Sequence, residues 1–496
     1  MSAAKSWTCV DCCSILRSFT RRRKPDEVSG RARKKPKNVG ILKACMSKNK
    51  LIDISPAHII LFSFFILIMF GALLLGLPIA HIKPMSFIDL FFTSTSATCV
   101  TGLFTIPLSN FTFFGKAVIL GLIQIGALGL ATMSFFIISL FIDLGLGTRF
   151  MAGQLFELDS WENIKKILIF TFASTLTLEV LGAICFFSIF KTEYPLHNAV
   201  FYSFFHSISS FCNAGISFFH FLTEQNLQHY STNYLFLATT SFLTFFGGLG
   251  FITWHEIMLR TRSYFFNKKQ RRFSLHSKII LHGTIVLLVT ATILFLALEN
   301  SNTLQGLSAP LKCANALFHA ISFKSCGFIL ANLNEFRSAT IFFIMLVGLI
   351  GSSPGSTGSG IKITTFVIFL NTVKSAINGR SSVDAFEREI PIDQVHKVIA
   401  IISLSIGWIL FTTFCLLITE VNWNFLDVFF ETISAFSNVG FSLKGSEKLS
   451  DFGKILIMAT MFIGRIGSLT FILGLKLRAR KETIEYSYPE ERVMLG

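Results

Sequence analysis

The sequence predicts an all-α polytopic membrane protein: eight transmembrane helices in four pseudo-symmetric repeats of helix, re-entrant pore helix, filter and helix. Three observations predict it. Of 496 residues, 52% are hydrophobic and 15% charged, and 57 are phenylalanine. Soluble domains carry about 25% charged residues, and a soluble globule of this content has no way to hide its apolar surface, whereas lipid solvates it. Apolar runs long enough to span a bilayer recur along the chain, and a short segment ending in glycine recurs between alternate pairs of them. An ordinary soluble enzyme and a disordered chain are excluded.

The first run covers 57–77, far from the amino terminus, so no cleavable signal peptide is read. Further runs cover 113–142, 164–190, 232–259, 277–298, 338–374, 395–420 and 451–476. A spanning helix needs roughly 20 residues. Shorter segments at 86–98, 198–212, 313–324 and 425–436 fall below that length and read as re-entrant. Placing both termini and alternate loops on one side collects 33 Lys/Arg there against 8 opposite, with Lys324, Lys362 and Arg465 at membrane depth. By the positive-inside rule the crowded side is cytoplasmic, and the re-entrant segments enter from outside. The chain divides into a basic cytoplasmic segment 1–54, pore repeats 55–148, 149–262, 263–380 and 381–476, and a cytoplasmic tail 477–496.

The formal charge is +16. Residues 1–50 hold 14 Lys/Arg and 3 Asp/Glu, which beside an apolar run reads as a flank near anionic lipid rather than a nucleic-acid surface. Cys9, Cys12 and Cys13 form a CxxCC cluster open to two readings, metal or lipid attachment and reduced thiols in a tail. Cys99, Cys185, Cys212, Cys313, Cys326 and Cys415 lie in or beside apolar segments without paired spacing and read as small buried hydrophobes.

The recurring segments are Phe92–Gly102, Phe205–Gly215, Phe318–Gly327 and Phe430–Gly440, with glycines 113, 112 and 113 residues apart. Four such copies imply fourfold pseudosymmetry. Extended backbone at membrane depth is tolerated only where it is buried or lines water. Helix carboxyl ends facing an axis favour a cation, and carbonyl rings replace its hydration shell. Glycine leaves the axis open and accepts positive φ. The expected cation-binding backbone is Val100, Thr101 and Gly102; Asn213, Ala214 and Gly215; Ser325, Cys326 and Gly327; Asn438, Val439 and Gly440. A turn glycine in a packed bundle explains one copy but not four evenly spaced ones.

The run 338–374 is broken by Gly351-Ser-Ser-Pro-Gly-Ser-Thr-Gly-Ser-Gly360, which no regular helix continues through. A loop at this depth is placed to block conduction. Gly355, Gly358 and Gly360, with Lys362 and Arg465, are the expected gate. The loop is not a phosphate-binding P-loop, because Ile361 stands where lysine is required and no strand precedes it. Intramembrane Lys362 and Arg465 are costly and read as functional. Arg465 is read either as a functional intramembrane cation or as an interhelical anchor paired with carbonyls or a carboxylate. Glu431 and Lys324 are expected to support the filter, Glu431 by bracing Lys324 or a filter amide, the alternative being that Glu431 raises the local cation concentration. Glu179 is expected to satisfy neighbouring polar groups. A membrane-embedded enzyme would need clustered His, Asp or Glu at membrane depth, and the histidines are scattered. An organic-solute transporter would need a broken-helix site without four glycine segments.

Cys99-Val-Thr-Gly-Leu103, Phe211-Cys-Asn-Ala-Gly215, Ser434–Ser442 and Gly464-Arg-Ile-Gly-Ser-Leu-Thr470 resemble the Trk/Ktr/HKT potassium-transporter superfamily. Gln124–Gly129, Gly247–Phe251 and Ser274–Lys278 fit it too, and Tyr488-Pro-Glu-Glu-Arg492 is similar to the KtrB branch. The resemblance covers about residues 55–496. It implies a potassium-channel-like fold in a bacterial inner membrane, potassium uptake (passive or by symport), and 351–360 as an intramembrane gating loop. It also implies that Arg465 projects below the filter against cation passage. It further implies a homodimer on a cytosolic, nucleotide-sensing regulatory ring of KtrA/TrkA type; basic loop 260–278 and the tail read either as its docking surfaces or as positive-inside bias alone. No cofactor is implied beyond the transported potassium, with sodium as the alternative ion. Lys324-Ser-Cys-Gly-Phe328 departs from the family's Arg-Thr-Ala-Gly-Phe, replacing a planar multidentate cation by a point charge. Glycine at all four filter positions resembles potassium-selective members.

Overall fold

The computed structural model describes residues 56–129, 161–218, 227–266 and 272–475. The segment 1–54 with Cys9, Cys12 and Cys13, the tail 477–496 and its Tyr488–Arg492 motif lie outside these residues. In chain order the helices are α1 (Pro56–Leu75), α2 (Phe87–Cys99), α3 (Phe113–Leu128), α4 (Trp161–Phe190), α5 (Leu196–Phe211), α6 (Tyr234–Gly248) and α7 (Phe251–Phe265). Then come α8 (Leu275–Glu299), α9 (Ala309–Ser325), α10 (Ser338–Leu349) and α11 (Ile363–Ile377). A hairpin of β1 (Val383–Ala385) and β2 (Arg388–Ile390) precedes α12 (Ile392–Thr419), α13 (Phe425–Ser437), α14 (Asp451–Ile466) and α15 (Ser468–Leu475).

The short helices α2, α5, α9 and α13 are built to be buried. Phe92, Phe205 and Phe318 are wholly enclosed or nearly so, as is Phe430, while Thr93, Ser94, Thr95, Ser96 and Thr98 bury a polar stripe on α2. Buried hydroxyls must find partners. Ser94 Oγ donates to Ile68 O on α1 at 2.7 Å, and Ser207 Oγ makes the equivalent bond from α5 to Glu179 O on α4 at 2.6 Å. Glycines allow this approach: a Cβ on Gly71 or Gly182 would lie 2.5 Å from Ser94 Oγ or Ser207 Oγ. α14 starts at Ser450, whose Oγ accepts from Gly453 N at 3.1 Å and donates to Glu420 at 2.5 Å, an N-cap that itself has a buried carboxylate partner. Lys454 on α14 pairs with Asp89 on α2 at 2.8 Å.

The exterior is apolar: Phe62, Phe65, Ile66, Phe70 and Leu73 of α1 are all exposed. Among the described residues three helices are long and apolar enough to cross a membrane, within Ile167–Phe190, Leu275–Glu299 and Ile392–Thr419, and shorter apolar helices lie at Ile60–Leu75, Phe113–Leu128, Ser338–Leu349 and Ile363–Ile377. The chain is a multi-pass membrane protein.

Several expected runs are not single helices. The run at 232–259 turns by 105° between α6 and α7, at Gly250 with φ +89°. α3 stops at Gly129, φ +79°, and α14 is separated from α15 by Gly467, φ +95°. Cys313, expected to be buried, is exposed at the start of α9, whereas Cys99, Cys212 and Cys326 are buried. The hairpin departs from an all-α fold. Its turn residues Phe386 and Glu387 have φ +50° and +63°, the left-handed pair a two-residue turn requires, and Val383, Ala385 and Ile390 bury against Ile279 and Val395.

Candidate ion filter and gate

The four recurring glycines meet. A Cβ on Gly102 would lie 2.6 Å from Ala214 O, and one on Gly440 would lie 2.5 Å from Thr101 O. A Cβ on Gly215 would strike Cys326 O, and one on Gly327 would strike Val439 O. Each glycine thus faces the residue preceding the next glycine, and the chain of contacts 102→214, 215→326, 327→439, 440→101 closes on itself. All four have φ between +65° and +93°. A cavity of about 220 Å³ opens against all four, with Ser442, Ser446 and Glu447 among its walls.

A serine that sequence reasoning left aside holds each segment. It stands four residues after the leading phenylalanine in every copy: Ser96, Ser209, Ser322 and Ser434. Ser96 Oγ accepts from Gly102 N at 3.1 Å. Ser209 Oγ accepts from Ile216 N at 3.0 Å and donates to Ile216 O at 2.8 Å, and Ser322 Oγ donates to Phe328 O at 2.5 Å. Ser434 contributes its carbonyl, which accepts from Val439 N at 2.9 Å. The third segment differs in backbone. Val100, Asn213 and Asn438 are left-handed at φ +59°, +60° and +54°, while Ser325 remains in α9. Phe318 and Gly327 are nine residues apart and the other pairs ten, so the missing residue removes the left-handed step.

A second recurrence also went unread. Each helix that follows a filter segment carries Gly-x-x-Gly: Gly126–Gly129, Gly247–Gly250, Gly348–Gly351 and Gly464–Gly467. The first glycine lies under the end of the short helix. A Cβ there would collide with Thr98 O, Phe211 O and Phe436 O in three copies and lie 3.4 Å from Phe323 O in the fourth. The second ends the helix, at positive φ in Gly129, Gly250 and Gly467. The loop 351–360 therefore begins at a glycine equivalent to Gly129, Gly250 and Gly467. These motifs stand 24, 32, 21 and 24 residues beyond their filter glycines, an irregular spacing that hides the pattern.

The loop sits against the filter segments. Ser325 Oγ and Ser352 Oγ are 2.8 Å apart. The Asn213 amide hydrogen-bonds the Thr357 hydroxyl at 2.8 Å, which also lies 3.1 Å from Phe211 O and 3.0 Å from Gly247 O. Asn438, the matching asparagine, donates instead to Cys99 O at 2.5 Å. Arg465 ties the loop to α3: its guanidinium donates to Thr357 O, to Ser359 Oγ at 3.2 Å, and to Gly126 O at 2.5 Å and Ala127 O at 2.9 Å. It is thus bonded to carbonyls as an anchor, and it also lines a cavity of about 220 Å³ with Lys362, Gly355, Ser356 and Gly358. Lys362 Nζ donates to Gly358 O at 2.7 Å.

Lys324 is buried and forms no ion pair with Glu431 among the described residues; Glu431 instead accepts from Ser446 Oγ at 2.5 Å, bracing the loop after the fourth segment. Glu179 accepts from Gln124 Nε2 at 3.1 Å, beside Cys212 Sγ at 3.8 Å.

An apolar helical bundle in which four glycine segments close a ring at the inner ends of short buried helices defines a membrane protein of the cation-transport class. The chain belongs to the TrkH family, cation transport proteins, which residues 47–482 match. It is 34% identical over 451 residues to Ktr system potassium uptake protein B of Bacillus subtilis, covering 90% of this chain and 98% of that protein. It is 32% identical over 460 residues to potassium/sodium uptake protein NtpJ of Enterococcus hirae, covering 91% and 99%. The fold is similar to the crystal structure of the potassium transporter TrkH from Vibrio parahaemolyticus, with TM-score 0.66, 18% identity, and coverage of 87% of this chain and 86% of that one.

Proposed function

We propose that this chain is the ion-translocating subunit of a Ktr/Trk-type system that takes up potassium across a bacterial inner membrane. Four repeats with eight membrane crossings surround one axis, both termini are cytoplasmic, and backbone carbonyls of residues 100–102, 213–215, 325–327 and 438–440 coordinate the dehydrated ion. The closed contact ring of Gly102, Gly215, Gly327 and Gly440 carries this reading. Potassium is cargo, and the chain performs no covalent chemistry.

The loop 351–360 is the gate, and Gly355, Gly358 and Gly360 give it the freedom to move. Arg465 and Lys362 oppose cation passage below the filter while the loop is docked. Lys324 and Glu431 support the filter from behind, Glu431 through Ser446. The subunit works as a homodimer on a cytosolic nucleotide-sensing ring of KtrA/TrkA type; the resemblance to subunits of named Ktr systems supports this. Sodium is the alternative transported ion, a reading favoured by the relative named for potassium and sodium uptake.

The test is growth and potassium uptake in a bacterial strain lacking its own potassium transporters, with and without sodium and a regulatory subunit. Rescue at low potassium is expected. A membrane-inserted protein giving no uptake under any of these conditions overturns the proposal.

A further inference from the structure

The bend between α6 and α7 sets a basic, aromatic helix end apart from the bundle. We propose that the carboxyl-terminal half of α7 and the residues resuming at Arg272 form a docking surface for anionic lipid headgroups of the cytoplasmic leaflet. The inference rests on the membrane-spanning reading above.

The 105° turn means that if α6 lies along the membrane normal, α7 lies near the membrane plane. The first half of α7 is fixed to the bundle. Thr253 is fully buried, Trp254 packs on Phe246 at 5.1 Å and Phe170 at 5.8 Å, and Glu256 accepts from Ser274 N at 3.2 Å. The second half is not covered. Tyr264, Phe265 and Phe266 are exposed to 68%, 77% and 67%, three consecutive aromatics at the helix end.

Arginines accompany these rings. The Arg260 guanidinium lies 4.5 Å from the Phe273 ring and that of Arg262 5.8 Å from Phe266, while Arg262 and Arg272 are exposed. Among the described residues of 260–278, Arg260, Arg262, Arg272 and Lys278 are basic and none is Asp or Glu. A partner protein recognised by charge would face the same arginines, but it would not account for a helix turned near the membrane plane with bare rings at its end. An anionic leaflet does: aromatic bodies enter the interface, and arginines meet phosphate at its surface. The surface is continuous with the proposed gate, because Phe251 N, the first amide of α7, donates to Gly355 O at 2.9 Å.

The test uses the full chain in nanodiscs of phosphatidylcholine alone, or with about 30% phosphatidylglycerol, and follows amide hydrogen exchange across 258–266. Exchange is expected to slow roughly tenfold with the anionic lipid, to recover in high salt, and to show no lipid dependence in the triple variant Arg260→Gln/Arg262→Gln/Arg272→Gln. Equal exchange in both lipids overturns the proposal. Protection that appears only when a cytosolic regulatory subunit is added also overturns it, in favour of a protein-docking surface. Potassium flux in liposomes of the same mixtures is measured in parallel. Absence of flux sinks the transport reading and leaves the exchange result to stand or fall alone.

Discussion

Gly102→Ala tests the glycine ring with a single methyl group. At φ +93° any side chain is strained by about 1–2 kcal/mol. The added Cβ would lie 2.6 Å from Ala214 O and 3.3 Å from Gly440 Cα, and overpacking of this kind costs about 1–3 kcal/mol. The carbonyl that must retreat belongs to the neighbouring filter segment, so part of the cost falls on ion coordination. If a third to a half of it is felt differently by potassium and sodium, discrimination falls by about 1.4 kcal/mol, or tenfold. Gly306→Ala is the matched control. Gly306 has φ +87° but nothing within 4 Å of a Cβ, so it carries the strain without the collision. Potassium and sodium fluxes of both purified variants in liposomes give the comparison. Gly102→Ala should lose selectivity at least tenfold, and Gly306→Ala should lose only thermal stability. A folded Gly102→Ala protein with unchanged selectivity would refute the argument that the ring coordinates the ion.

Arg465→Gln removes the cation that ties Thr357 and Ser359 to Gly126 and Ala127; maximal potassium uptake should rise several-fold, with Arg465→Lys in between, since lysine keeps the charge but not the fork. Asp89→Asn leaves Lys454 without its carboxylate at 2.8 Å in a partly buried pair, so the cost lies between the ~1 kcal/mol of an exposed pair and the ~3–5 kcal/mol of a buried one, and melting temperature should drop while ion selectivity stays. Gly464→Ala drives a methyl into Phe436 O and should abolish the monodisperse protein in detergent chromatography, whereas Gly407→Ala, with open space around it, should be silent.

Much of this architecture was legible because it is repeated. The phenylalanine-to-glycine segments are equally spaced to within one residue, and that regularity points to the short helices and the converging glycines without any pairwise contact being known. The Phe-x-x-x-Ser pattern was equally visible in the same alignment. It was passed over because a serine in an apolar helix reads as ordinary until the backbone it holds is seen. The Gly-x-x-Gly breaks were harder, since intervening loops differ in length and the apolar runs continue through them. Hydropathy reports burial in lipid, not helix continuity, so Gly129, Gly250 and Gly467 left no trace in it. The bonds from Thr357 and Ser352 to Asn213 and Ser325 were not legible at all, because they join residues whose proximity depends on how the loop folds back.

Those bonds change what opening the gate involves. Arg465 was open to two readings, and its bonds are those of an interhelical anchor held by carbonyls. While its guanidinium holds Thr357 O and Ser359 Oγ on one side and Gly126 O and Ala127 O on the other, the loop is docked against α3. Releasing the loop unmakes the contacts to Thr357 and Ser359 together with the Thr357 and Ser352 bonds to the filter segments. Water replaces part of what is lost, so the net cost is on the order of 1–3 kcal/mol for each charged bond and less for the neutral ones, about 5 kcal/mol in all. A regulatory partner must therefore bind the open form on the order of several thousand-fold more tightly merely to equalise the two populations, and more tightly still to leave it mostly open. A partner touching only the outermost cytoplasmic loops, with equal affinity for both forms, shifts nothing. The elements that can carry such a preference are those whose positions change with the loop. These are α11, which starts at Ile363 directly after Lys362, and α7, whose first amide is bonded to Gly355 O.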